Sequence, residues 1–125
     1  MIDDDRLLVQ SIIALLESLG YAATGFVSGR DFLKSPDLHR ADCLIVDVRM
    51  PVMGGLELQR RLESEGIRTP IIFMSANGGQ EISAEALRLG AMAFLRKPFD
   101  QESLLEALRS ALNQRKGRTT GENPE

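Results

Sequence analysis

The chain has 125 residues, a length that fits one domain able to bury a full hydrophobic core without a disulfide or metal staple. Apolar residues make up 43% and charged residues 26%, and the net charge of −3 argues against a nucleic-acid-binding module, whose face is normally basic. The single cysteine, Cys43, excludes a disulfide framework and a cysteine-based zinc site, and no apolar run nears the ~20 residues of a membrane span. With no signal-peptide pattern at the start, the expected class is a cytoplasmic, reduced, globular domain.

The elements follow in a regular rhythm. After Asp5, residues Leu8, Ile12, Leu15, Leu16 and Leu19 recur at helical spacing and predict one buried helix face. Gly20 stands where such a helix stops in a left-handed turn. Residues 21–27 read as a weak strand. Ser28-Gly29-Arg30-Asp31 has the form of a capping box and opens a short helix that Pro36 ends. The run Cys43-Leu44-Ile45-Val46 lacks alternation, as suits a strand buried on both faces. Residues 51–55 form a loop. Leu58 and Leu62 share a helix face that ends near Gly66. Ile71-Ile72-Phe73-Met74 is a second buried strand, and Ile82, Ala86 and Leu89 mark a helix ending at Gly90. Residues 93–96 form a short strand. Asp100 caps a last helix with Leu104, Leu105, Leu108 and Leu112 inward. From Arg115 the chain turns polar and reads as a frayed end or linker stub, so residues 1–114 form the domain and 115–125 its tail.

Strands alternating with helices imply an α/β fold, a doubly wound open parallel sheet with helices on both faces. Ligands of such sheets gather outside the carboxyl ends of the strands. The polar residues at those ends are Asp3, Asp4 and Asp5, then Asp47, Ser75 and Lys97. Clustered carboxylates repel and call for a counter-charge. Oxygen ligands with few nitrogens suit Mg2+, which keeps some waters and accepts phosphate oxygens. A cation and an ammonium facing one carboxylate can hold the charge of a phosphoryl group in transit. The carboxylate can itself be the nucleophile, and Asp47, on the most apolar strand, is the best candidate. Each residue also has a bland reading: a solvated acidic terminus, a strand-end cap at Asp47, a turn cap at Ser75, a surface lysine at Lys97. Cys43 reads as an inert core residue and His39 as a loop histidine.

Asp3-Asp4, the run Leu44-Ile45-Val46-Asp47-Val48-Arg49-Met50-Pro51 with Gly54-Gly55, then Ser75-Ala76, then Lys97-Pro98-Phe99 resemble the receiver domain of two-component response regulators. The likeness covers about residues 2 to 114. It implies a flavodoxin-like sheet of strand order 2-1-3-4-5 and a cis Lys97–Pro98 bond. It implies that Asp47 accepts a phosphoryl group from a sensor histidine kinase. Asp4, Asp47 and the Arg49 backbone carbonyl would hold Mg2+ directly, and Asp3 through water. Lys97 would pair with Asp47 and then with the phosphoryl oxygens, which Ser75 would also meet. Phe94 would be the switch aromatic, although plain packing is the alternative, and Arg49 and Asn77 would tune the acyl phosphate's lifetime. The output would be a changed surface over residues 81–114, which pairs receivers into homodimers in that family. Transcription control is expected, with nucleic acid reached only through a separate output domain, and no turnover of outside substrates. Two rivals stay open: a degenerate receiver that binds partners without phosphorylation, and a phosphatase using Asp47 as nucleophile. The latter normally needs an acid–base carboxylate just after the nucleophile, where Val48 and Arg49 stand.

One departure stands out. A receiver has a strand of about five residues before the acidic pair, and here only Met1 and Ile2 precede Asp3. The first strand is therefore expected to be truncated or missing. Its loss removes aliphatic side chains at roughly 1.5–3 kcal/mol each. Either the start lies further upstream or another segment fills the slot, for example by strand exchange with a second copy.

Overall fold

The computed structural model describes residues 1–76 and 93–121, with side chains through residue 113. Asn77, Met92 and the helix expected around Ile82, Ala86 and Leu89 lie outside the described residues, as does that part of the 81–114 face.

Among the described residues, three parallel strands form the sheet: β1 (Leu44–Asp47), β2 (Ile71–Ser75) and β3 (Ala93–Arg96), in that order. Leu44 aligns with Ile71 and Asp47 with Met74, while Ile72 aligns with Ala93 and Ser75 with Arg96. Every residue of β1 and β2 is buried, as their unbroken apolar runs require. Successive side chains alternate between two cores. Ile2, Val46 and Phe73 pack with Phe32 of α2 (Gly29–Leu33) and with Leu58 and Leu62 of α3 (Gly55–Ser64) on one face. Ile45, Ile72 and Met74 pack with Val9 and Leu16 of α1 (Arg6–Ser18) and with Leu104 and Leu108 of α4 (Gln101–Gly121) on the other. Helices on both faces make the sheet doubly wound.

The sheet extends past β1 through single residues. Ile2 bridges Val46 on one side and Phe26 on the other, both in parallel. The Ile2 amide donates to the Ile45 carbonyl (2.8 Å) and the Asp47 amide to the Ile2 carbonyl (2.9 Å). Across the gap, the Asp3 amide donates to Phe26 O (3.0 Å) and the Phe26 amide to Met1 O (2.8 Å). Phe26, Ile2, β1, β2 and β3 therefore follow the 2-1-3-4-5 order, with Met1-Ile2-Asp3 in the central position. The strand expected over residues 21–27 is reduced to a bridge at Phe26, with the Thr24 carbonyl accepting from the Met1 amine at 2.8 Å.

Local signals act as their chemistry dictates. The Asp5 carboxylate caps α1 by accepting from the Leu8 amide (3.1 Å), and Ser28 caps α2 by accepting from the Asp31 amide (3.1 Å). Gly20 and Gly66 take φ of 94° and 76° just past the ends of α1 and α3. The short helix α2 ends at Leu33, ahead of Pro36 as expected, and Pro36 also opens a 3₁₀ helix (Pro36–His39) capped by Ser35. Leu19, expected inside, is 48% exposed; Val9 is buried in its place. The last helix continues to Gly121, well into the stretch whose polarity reads as a frayed end. Gln, Arg and Lys are good helix formers, so polarity alone does not end a helix. No helix of the described residues is long and apolar enough to cross a membrane.

Candidate functional site

The strand ends deliver their polar residues to one crevice. Asp47 closes β1, Ser75 closes β2 and Lys97 follows β3, while Asp3 follows Ile2 in the central position of the sheet. Register carries this convergence, since Asp47 lies beside Met74 and Ser75 beside Arg96. The Lys97 backbone amide donates to the Ser75 carbonyl (2.9 Å), and the Lys97–Pro98 bond is cis.

Four side chains form the centre. Asp3 is fully buried, Asp47 is 7% exposed and Ser75 1% exposed. Carboxylate oxygens of Asp3, Asp4 and Asp47 lie within 4.8 Å of one another. The Lys97 ammonium donates to Asp3 Oδ2 at 2.8 Å and reaches Asp47 Oδ2 at 3.4 Å. The sequence suggested Asp47 as the lysine's partner; the shorter contact goes to Asp3. Asp3 also accepts from the Asp5 amide (2.9 Å), and Asp47 Oδ1 from the Arg49 amide (3.1 Å). Asp4 is exposed at the rim, as is the Arg49 side chain. Phe94 is half-buried against the core that holds Phe73 and Leu58.

Electrostatics follow from this packing. Burial raises the Asp47 carboxyl above its ordinary 3.8; the Arg49 amide opposes the shift, the Asp3 charge adds to it and Lys97 opposes it. For Lys97 burial disfavours the charge, but the hydrogen bond and charge of Asp3, then those of Asp47, outweigh it and raise the ammonium above 10.5. Three acids against one ammonium leave excess negative charge in a tight pocket. That donor set of carboxylate oxygens fits a hard divalent cation.

The receiver-domain model of response regulators matches residues 1–109. The chain belongs to the response regulator receiver family. This receiver is 40% identical over 112 residues to the response regulator protein TodT of Pseudomonas putida, covering 90% of this chain and 49% of TodT. It is 39% identical to the transcriptional regulatory protein FixJ of Azorhizobium caulinodans, covering 90% and 53%. The crystal structure of a response regulator receiver protein from Burkholderia phymatum superposes with a TM-score of 0.77 at 39% identity, covering 90% and 91%. The receiver thus spans about half the length of the curated relatives it matches.

Two features of the receiver's site escape sequence reasoning. Gly55, visible only as part of a Gly54-Gly55 pair, lets α3 start directly against the end of β1: a Cβ there would lie 2.6 Å from the Asp47 carbonyl oxygen. Val52, in the loop after β1, takes φ 72°, an unusual conformation for a β-branched residue, with its side chain 86% exposed.

A pH prediction follows. Because folding raises the Asp47 value, its contribution to stability is full below about pH 3.8 and is lost as pH rises through the folded value. Without divalent cation, Asp47→Asn is therefore expected to be more stable than the parent receiver at pH 7, with the gap closing below about pH 4. Urea midpoints of both proteins from pH 3 to 8 test this; a gap independent of pH would contradict it.

Proposed function

We propose that Asp47 is a phosphoacceptor for a sensor histidine kinase and that its phosphorylation switches an output surface. The supporting observation is the single ammonium of Lys97 set between Asp3 (2.8 Å) and Asp47 (3.4 Å) at the carboxyl end of a parallel sheet. Asp4, Asp47 and the Arg49 carbonyl would hold Mg2+, with Asp3 reaching it through water. When bound, the cation supplies positive charge that a lone ammonium cannot provide for three acids and a phosphoryl group. Asp47 Oδ attacks phosphorus in line as the bond to the donor imidazole breaks. Lys97 then turns to the phosphoryl oxygens, the Ser75 hydroxyl donates to one of them, and Phe94 follows Ser75 inward.

The changed surface is the face of residues 81–114, a homodimer contact in this reading. Residues 115–125 are a connector to an output that controls transcription and carries all nucleic-acid contact. The receiver works in the cytoplasm and turns over no outside substrate: Val48 and Arg49 stand just after Asp47 in the chain, where a phosphatase of this kind normally carries its acid–base carboxylate.

Incubation with acetyl phosphate and Mg2+ tests the proposal. One adduct per chain of about 80 Da, the mass of a phosphoryl group, is expected by intact mass and should disappear when EDTA removes the cation. No sustained release of nitrophenol from nitrophenyl phosphate is expected. Continuous turnover would favour the phosphatase reading; no adduct with Mg2+ present would favour a phosphorylation-independent binding module.

A further inference from the structure

The loop between β1 and α3 holds two methionines that meet solvent. Met50 and Met53 are partly exposed, unlike Met74, which is fully buried in β2. Both also pack against the core that contains Phe32, Leu58 and Phe73. Pro51 and Val52 stand between them in water, Val52 at 86% exposure. The loop is thus a turn with an exposed tip and a thioether seated in the protein on either side of it.

The tip is held in an unfavourable conformation. The Met53 amide donates to the Pro51 carbonyl (2.8 Å), which closes a three-residue turn on Val52, whose φ is 72°. A γ-turn of that hand is rare and strained, and a β-branched residue does not adopt it unless its surroundings impose it. Met53 is the anchor on the downstream side. A Cβ built on Gly29 would stand 3.3 Å from Met53 Sδ and 3.7 Å from Leu58 Cδ1, so the sulfur rests over the start of α2 in the space the glycine leaves.

The same turn reaches the acceptor. On its upstream side the Arg49 amide donates to Asp47 Oδ1 (3.1 Å), and on its downstream side the Gly55 amide donates to the Val48 carbonyl (2.8 Å). The seat of one sulfur is therefore linked through five residues of backbone to the orientation of the Asp47 carboxylate.

A flexible, polarizable thioether suits this seat. A sulfoxide does not. Attack of a sulfur lone pair on hydrogen peroxide forms the S–O bond as the O–O bond breaks, giving methionine sulfoxide and water. The new dipole would have to be stripped of water to stay against Leu58 and the Gly29 backbone. Turned outward instead, it keeps its hydration, withdraws the anchor and lets Val52 relax.

We propose that Met53 is a peroxide-sensitive modification site whose sulfoxide releases the turn after β1 and slows phosphorylation of Asp47. The effect on phosphorylation rests on the reading of Asp47 as phosphoacceptor; the release of the turn does not. Peroxide would act on the receiver directly, and a methionine sulfoxide reductase would restore it.

The test treats the 125-residue protein with dilute hydrogen peroxide. Peptide mapping should place a gain of about 16 Da, one oxygen atom, on Met53 while Met74 stays unmodified. Backbone amides of Arg49, Met53 and Gly55 should then exchange hydrogen at least about tenfold faster. Labelling by acetyl phosphate and Mg2+ should slow by about tenfold, as expected when the group orienting a reacting carboxylate is displaced. Reductase treatment should reverse both changes. Met53→Leu should keep both rates through peroxide, and Met53→Gln, which brings a dipole without oxidant, should show both changes untreated. Oxygen found on Met50 or Met74 with Met53 intact, unchanged exchange in the Met53 sulfoxide, or equal loss in the parent and Met53→Leu would overturn the proposal. An untreated parent that takes up no phosphoryl group would overturn the effect on phosphorylation together with the reading it rests on, whereas faster exchange in the peroxide-treated parent would still support release of the turn.

Discussion

Lys97→Met is expected to destabilise the receiver by about 3 kcal/mol at neutral pH, the low end of what removing one partner of a buried ion pair costs. The ammonium keeps some contact with water, while the Asp3 carboxylate it holds is fully buried. Methionine fills similar space but leaves Asp3 and Asp47 as close like charges without the ammonium that joins them. Folding raises the Lys97 value, so its stabilisation is full below pH 10.5 and fades as pH rises beyond it. The gap between parent and variant should therefore shrink in strongly alkaline buffer. The rate of phosphorylation by acetyl phosphate should fall on the order of 10²–10³-fold, as when a single oriented donor is removed from a reacting anion. Denaturant midpoints and initial rates check both effects. A variant within about 1 kcal/mol of the parent, with its rate intact, would deny Lys97 this place at the centre.

Gly55→Ala is expected to cost at least about 3 kcal/mol although alanine is the better helix former by about 1 kcal/mol. The new Cβ would stand 2.6 Å from the Asp47 carbonyl oxygen and 3.0 Å from both Val48 Cα and Phe73 Cε1. Two of these three neighbours are backbone, so no rotamer change relieves the overlap. Relief requires α3 to move away from β1, which breaks the 2.8 Å bond from the Gly55 amide to the Val48 carbonyl and tilts the Asp47 carboxylate. Stability and phosphorylation should fall together. Thermal unfolding and adduct formation measure the two, and an alanine variant matching the parent in both would rule out this close approach.

Much of this design is legible in the residues. Unbroken apolar runs mark β1 and β2 because both faces of those strands are buried, and Asp47 and Ser75 end them. Ser28 and Asp100 announce their helices through short-range hydrogen bonds that need no knowledge of the rest of the chain. What depends on distant partners is less visible. α1 carries apolar residues at Leu7, Leu8, Val9, Ile12, Ile13, Leu15 and Leu16, enough for two overlapping faces. The position of the sheet selects Val9 and Leu16 and leaves Leu7 and Leu19 in water. Residues 21–27 read as a strand in the sequence, yet the structure pairs them with Ile2 through a bridge at Phe26 and with Met1 through the Thr24 carbonyl. The preference of Lys97 for Asp3 joins residues 94 positions apart and depends on how far each carboxylate projects past its strand. Local chemistry names the members of the site, and the sheet register decides which of them touch.

The account's central claim is that the carboxylate ringed by Asp3, Asp4 and Lys97 is the one that reacts. Tandem mass spectrometry of the receiver after brief treatment with acetyl phosphate and Mg2+ tests it most directly. The phosphoryl group should map to Asp47 alone, and Asp47→Asn should yield unmodified protein under the same conditions. Equal labelling of the Asn variant, or a phosphoryl group mapped to His39 or a serine, would contradict it.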